Sequence, residues 1–454
     1  MKKHILCKTV DIVRRKDDNR WAVPKRSKEI SRKRPEMQKM KAQSLTSLQQ
    51  LKTFVLWILA AILTGLVCGA VGTVFHLAVD WATELRIHFG WLLYLLPLAG
   101  LLITFIYRKT KTEGVGTNNI IHSIHTADHI PTRLVPVIFS ATTLTHLFGG
   151  SAGREGAALQ LGGSMGAYFG RKIGLDEKDR RIMVMCGMAA AFSGLFGTPL
   201  TAAVFAMEVV SVGVMYYAAM VPCITSALVA LQITKWFGLH GHDGYAISGQ
   251  PLLSPASMLQ VAVLGALCAG LSIVFCEAMH KSHHLYAKFI HNPVLRAAVG
   301  GVLVLALTLL VGSQDYNGAG DPLIRRMLAG EDIYAAFLLK ILFTALTLGA
   351  GFRGGEIVPI LCTGAAFGTI AGPILGLSQS FGGALCMTAL FCGGTNCLLS
   401  AILLSYELFG GEGLPLYALC CAVSYMLSGY YGLYSEQKIV YSKFKTEWID
   451  KKAE

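Results

Sequence analysis

The chain has 454 residues, 53% hydrophobic and only 15% charged, with a mean hydropathy of +0.52. Soluble proteins carry about 25% charged residues, so an ordinary soluble enzyme is excluded and an integral membrane protein is indicated. The net charge of +13 is local: residues 1–50 hold 15 Lys/Arg against 5 Asp/Glu, which leaves +3 for all the others. With no basic stripe on a folded region, nucleic-acid binding loses its main support.

The first apolar run begins near Phe54, too late for the core of a cleavable signal. Before it lies a polar, basic segment whose Lys25–Lys41 cluster places the N-terminus in the cytoplasm by the positive-inside rule. Apolar runs that approach the length of a membrane span follow at 54–79, 91–107, 134–148, 183–211, 213–236 and 257–279. Others lie at 295–312, 334–351, 357–377, 383–409 and 413–431. This predicts an all-α, multi-pass protein of the cell membrane. The expected organisation is a basic cytoplasmic tail at 1–50, a first transmembrane repeat at 51–236 and a linker at 237–256. A second repeat at 257–436 and a short charged tail at 437–454 complete it, with no regulatory domain expected after them.

Glycine-rich breaks cut these runs: GGSAGREG at 149–156, GLFGTP at 194–199, GAGFRGG at 349–355 and CGGTN at 392–396. Glycine can serve close helix packing alone. Charges nevertheless sit at two of the breaks, as Arg154–Glu155 and Arg353–Glu356. Irregular backbone at membrane depth is tolerated only where protein buries it or it lines a watery cavity. The two halves also echo each other. G-R-E-G is followed by FGTPLTAAVFAME ending in Glu208, and R-G-G-E by GGTNCLLSAILLSYE ending in Glu407. Paired broken segments at corresponding positions point to a transport site between repeats.

A half-helix that starts at such a break presents unpaired N–H groups and the positive end of its dipole, which favours an anion. Three segments open this way: Gly114-Val115-Gly116, Gly153-Arg154-Glu155-Gly156, and Gly354-Gly355-Glu356-Ile357, the last with its helix expected from Pro359. A carboxylate there can occupy the anion's place and leave it on protonation, which links anion and proton movement. Glu155 is the residue assigned that role.

Other residues keep two readings. Glu356 is a second coupling carboxylate or a structural partner of Arg353; Arg154 and Arg353 aid anion entry or anchor the breaks. Glu208 and Glu407 act in transport or cap their spans. Lys340, inside an apolar run, is functional or snorkels to the membrane edge. Tyr434 is a site residue or an interfacial aromatic. The 12 cysteines include no CxxC pair and read as small core residues. His122, His125 and His129, like His280, His283 and His284, have spacings that could share a helix face. Neither set has a zinc-protease order, so no metal or other cofactor is expected.

The order GREG, LGGSMGAYFG, GTPLTAAVFAME, GGEIVP, spread over roughly 51–436, resembles the CLC family of anion channels and anion/proton antiporters. The resemblance implies a homodimer with one pore per subunit, each pore lying between two inverted repeats of broken helices. It also implies that Glu155 is the gating glutamate, that amides near Ile357 face the central anion, and that the Tyr434 hydroxyl points there. Chloride-handling members carry G-S-G-I-P where this chain has Gly114-Val115-Gly116-Thr117-Asn118, without the serine hydroxyl. Their third motif, G-x-F-x-P, here contains Glu356, and the second inner carboxylate of chloride exchangers falls on Val209. These departures resemble the fluoride/proton antiporter branch. The expected function is therefore fluoride export in exchange for protons, not enzymatic catalysis. A chloride/proton antiporter or passive anion channel is the alternative, and a histidine-based membrane metalloenzyme is the reading from another class.

Overall fold

The computed structural model describes residues 47–126, 128–239 and 244–454. Most of the basic 1–50 segment, and residues 240–243 of the expected linker, lie outside the described residues. The chain divides into two units, Met1–Leu56 and Trp57–Glu454; of the first, residues 47–56 are described and are helical.

Sixteen α-helices are present among the described residues. The first eight are α1 (Ser47–His88), α2 (Leu96–Lys109), α3 (Thr117–Thr126), α4 (Leu134–Leu147), α5 (Glu155–Lys172), α6 (Glu177–Phe196), α7 (Pro199–Glu208) and α8 (Met220–Trp236). The second eight are α9 (Pro255–Phe289), α10 (Pro293–Val311), α11 (Asp321–Leu328), α12 (Ala336–Gly349), α13 (Ile357–Ile374), α14 (Gln379–Thr395), α15 (Leu398–Phe409) and α16 (Leu414–Leu427). Long and short helices follow the same order in both sets. The described residues thus form an all-α arrangement of two similar sets of helices, several of them broken.

Local chemistry explains the matching ends. Asp176 caps α6 by accepting from the Asp179 amide at 2.8 Å, and Ser378 caps α14 by accepting from Phe381 at 3.2 Å. Both helices stop on a left-handed residue, Gly197 (φ 78°) and Asn396 (φ 59°). These stops cut the long apolar runs 183–211 and 383–409 into two helices each. Where α5 crosses α6, a Cβ on Gly162 would lie 2.0 Å from the Gly187 carbonyl oxygen, so the two backbones touch and no side chain fits.

α14 is almost wholly buried from Ser380 to Thr395, and α13 is buried over most of its length. The outer helices instead expose large apolar side chains, among them Leu59, Trp81, Phe105, Leu259 and Leu310. Among the described residues six helical segments are long and apolar enough to cross a bilayer, and an apolar exterior of this extent suits lipid. The eleven described cysteines are all buried and unbridged.

The segment expected as a short charged tail at 437–454 contains two short strands. Residues Lys438–Tyr441 (β2) pair in parallel with Ser211–Val212 (β1) and antiparallel with Trp448–Lys452 (β3). Val212, Ile439 and Ala453 form a small buried cluster beneath. Ile439 and Val440 are both buried, an apolar pair that the segment's overall charge conceals.

Candidate functional site

Two of the charged breaks meet. Gly153 and Gly355 form an isolated antiparallel bridge, and beyond it the chain enters α5 on one side and α13 on the other. The amino ends of two half-helices are thereby set side by side. α13 begins at Ile357 rather than at Pro359, with Glu356 at its cap position. Proline is tolerated within a first helical turn because the N–H it lacks would have no helical partner there.

Glu155 is the first residue of α5 and is fully buried. Its Oε2 accepts the Arg154 amide at 3.0 Å and lies 2.9 Å from where a Cβ on Gly153 would stand. The carboxylate is thus folded back over the bridge. The Arg154 guanidinium lies 3.7 Å from Glu155 Oε1 and donates to Asp80 Oδ1 at 2.5 Å. His76 in turn pairs with Asp80 at 2.9 Å. Arg154 and Asp80 edge a vestibule of about 530 Å³ that Glu155, Val358, Arg86, His146 and Asp315 also line.

Glu356 is joined by no ion pair to Arg353 among the described residues; Arg353 instead lies over the Tyr107 ring at 4.2 Å. The first break approaches from the other side. Thr117 Oγ1 donates to the Gly156 carbonyl at 3.4 Å and accepts from Gln160 Nε2 at 3.1 Å. Gly114 takes a left-handed conformation (φ 75°). The amides of Val115 and Gly116 are spent within the chain, on the Thr112 carbonyl at 3.2 Å and Asn119 Oδ1 at 2.8 Å. What this break offers an anion therefore comes from residues after Gly116.

Tyr434 is buried, its hydroxyl has no protein partner, and it lies within electrostatic reach of Glu356 and Glu155. Its segment is fixed by the Leu433 amide donating to Gly394 at 2.8 Å and the Glu436 amide donating to Asn118 Oδ1 at 3.5 Å. A phenol buried to this degree lies in the protein interior, away from a membrane–water interface. The second and third breaks, α3 and Tyr434 thus converge on one place.

Other residues fall on the structural side. Glu208 at the end of α7 accepts from the amides of Leu399 (3.0 Å) and Ser400 (2.9 Å), which open α15. Glu407 at the end of α15 accepts from Leu200 (2.9 Å) and Thr201 (2.8 Å), which open α7. Each helix carries the other's cap. Lys340 does not snorkel: it is fully buried, and its ammonium donates to Ser151 Oγ (3.1 Å) and the carbonyls of Tyr316 (3.1 Å) and Gly318 (2.8 Å). Among the histidines, His122 pairs with Glu436 at 2.9 Å and His280 with the Gly432 carbonyl at 2.8 Å. No group of three metal-ligating side chains forms among the described residues. Sequence reasoning missed Asp80, although a lone carboxylate at the edge of an apolar run was the available signal.

The pattern described as voltage gated chloride channel matches residues 98–429. The chain belongs to the CLC family. A chloride/fluoride channel protein of Pseudomonas syringae pv. tomato is 35% identical over 395 residues, covering 85% of this chain and 87% of that one. Among solved structures, a CLC-type fluoride/proton antiporter superposes with a TM-score of 0.81 at 31% identity, covering 86% of this chain and 99% of that one. A slow cyanobacterial Cl⁻/H⁺ antiporter superposes with a TM-score of 0.68 at 20% identity, covering 82% and 94%, which bears on the fold alone. As a CLC protein the chain moves anions through a membrane, and the meeting of α5 and α13 is where CLC chemistry is to be sought.

Proposed function

We propose that this CLC protein exports fluoride from the cytoplasm in exchange for protons. The observation that carries the reading is the placement of Glu155 and Glu356 at the bridged heads of α5 and α13. Ionised, Glu155 occupies the anion position; protonated, it gives up its claim on the helix termini and an anion can enter. Glu356, free of any ion pair to Arg353, can take a proton and then donate a hydrogen bond, and fluoride is a stronger acceptor than chloride. The likeness to the CLC-type fluoride/proton antiporter supports the same reading. The protein works as a homodimer in the cell membrane, which crosslinking in native membranes tests; a monomer at every concentration would contradict it.

Glu155→Gln tests coupling, because an amide cannot titrate. In proteoliposomes with a fluoride electrode and a pH probe, the variant should show no proton movement linked to fluoride, whether fluoride flux stops or turns passive. Coupled flux at the wild-type rate would remove Glu155 from the mechanism. The name of the Pseudomonas syringae relative favours a passive channel as the second reading. That reading predicts no proton movement even in the unmodified protein.

A further inference from the structure

A second anion site, apart from the bridged helix heads, follows from a cluster on the other side of the third break. A cavity of about 120 Å³ is lined by Tyr107 on α2, Glu113 and Gly114 of the first break, Pro293 and Arg296 on α10, and Arg353. Tyr107 is 2% exposed, and its hydroxyl has no protein partner. The Nε atoms of Arg296 and Arg353 are buried, and neither finds a protein acceptor. Glu113, the carboxylate in the lining, pairs with Arg108 at 3.1 Å. Neither cavity arginine is paired with a carboxylate among the described residues.

Arginine does not shed its charge when buried, and a buried donor without an acceptor carries a desolvation cost. Two half-buried guanidinium groups, each with a buried Nε donor that lacks an acceptor, and a phenol donor around one small cavity match an anionic acceptor. We infer that Arg296, Arg353 and Tyr107 form a loading site for a small inorganic anion, held with part of its hydration shell. The volume supports that form, since a water occupies about 30 Å³ in the liquid and a bare fluoride would leave most of the cavity unfilled. Place and charge agree with it. Gly114 belongs to the first break, and Arg353 precedes the bridge residue Gly355 by two positions. Arg108, Lys109 and Lys111 lie in sequence between the lining residues Tyr107 and Glu113, and Arg133 donates to the Lys111 carbonyl at 3.4 Å. Such an excess of positive charge marks the cytoplasmic side, where an exporter collects its cargo.

The inference rests on the transport reading above. Its test is the fluoride concentration dependence of initial flux, measured on the full chain in proteoliposomes. Arg296→Gln/Arg353→Gln should raise KM for fluoride about tenfold, as expected for lost charge-assisted hydrogen bonds, with kcat within about twofold. Tyr107→Phe should raise KM by about threefold, and Arg296→Lys/Arg353→Lys should recover most of the affinity. Inert salt should weaken the wild-type KM by screening, and the Gln double variant should lose that dependence. An assembled double variant with unchanged KM and salt response overturns the inference. Should the double variant fail to assemble, an unchanged KM in Tyr107→Phe overturns it equally. A wild-type protein that moves no fluoride would instead overturn the transport reading.

Discussion

Gly153 and Gly355 exchange both backbone hydrogen bonds, each at 2.7 Å. This one rung ties two breaks that lie far apart in sequence, and so fixes where α5 and α13 point. Its closeness depends on missing side chains: a Cβ on Gly355 would lie 2.4 Å from the Gly156 amide nitrogen, and one on Gly156 2.7 Å from the Gly355 Cα.

Gly355→Ala must therefore move backbone rather than a flexible side chain. It should lower stability by about 1–3 kcal/mol, the usual cost of overpacking, and abolish anion flux. Gly116→Ala is the control, because its Cβ meets nothing within 4 Å. Thermal unfolding in detergent, followed by flux on the surviving protein, separates the two. Equal behaviour of the variants would contradict the bridge's role.

The reciprocal caps give a second expectation. Glu208 accepts two amides and the Ser400 hydroxyl (2.5 Å), whereas Glu407 accepts two amides. Glu208→Ala and Glu407→Ala should each destabilise by about 1–3 kcal/mol, with Glu208→Ala the costlier. The fluoride-to-chloride flux ratio should stay unchanged. A shift in that ratio would move these glutamates from the scaffold into the transport path.

Much of this was legible in the chain. Charged breaks inside apolar runs, and the echo between G-R-E-G and R-G-G-E, pointed to a transport site between the two repeats; that these two breaks pair directly was not legible. What stayed hidden depends on partners distant in sequence. Nothing local links Arg154 to Asp80, 74 residues away, or tells that Lys340 turns inward to carbonyls at 316 and 318. The strands at 438–452 are too short and too charged to stand out, because their pairing with Ser211–Val212 is decided by register. The spent amides of Val115 and Gly116 are likewise a matter of loop geometry.

The proposed fluoride selectivity is assigned to Val115 and Glu356. Val115 packs, half-buried, against the main core, and its stiff branched side chain stands where chloride-handling relatives were expected to place a hydroxyl. Val115→Ser should raise chloride flux relative to fluoride. Glu356→Ala removes the donor that a protonated carboxyl supplies and should weaken the fluoride preference by about tenfold. Flux ratios in matched fluoride and chloride gradients check both, and unchanged ratios would remove these residues from selectivity.

The central claim is proton-coupled fluoride transport, and its most direct test uses the unmodified protein. Purified full-length chain is placed in liposomes loaded with fluoride or with chloride, and anion efflux is recorded together with internal pH. The account predicts fluoride efflux with simultaneous proton uptake, and a proton gradient that drives fluoride against its own gradient, while chloride moves far more slowly. Equal fluoride and chloride flux, or fluoride flux that no proton gradient can drive, would contradict it.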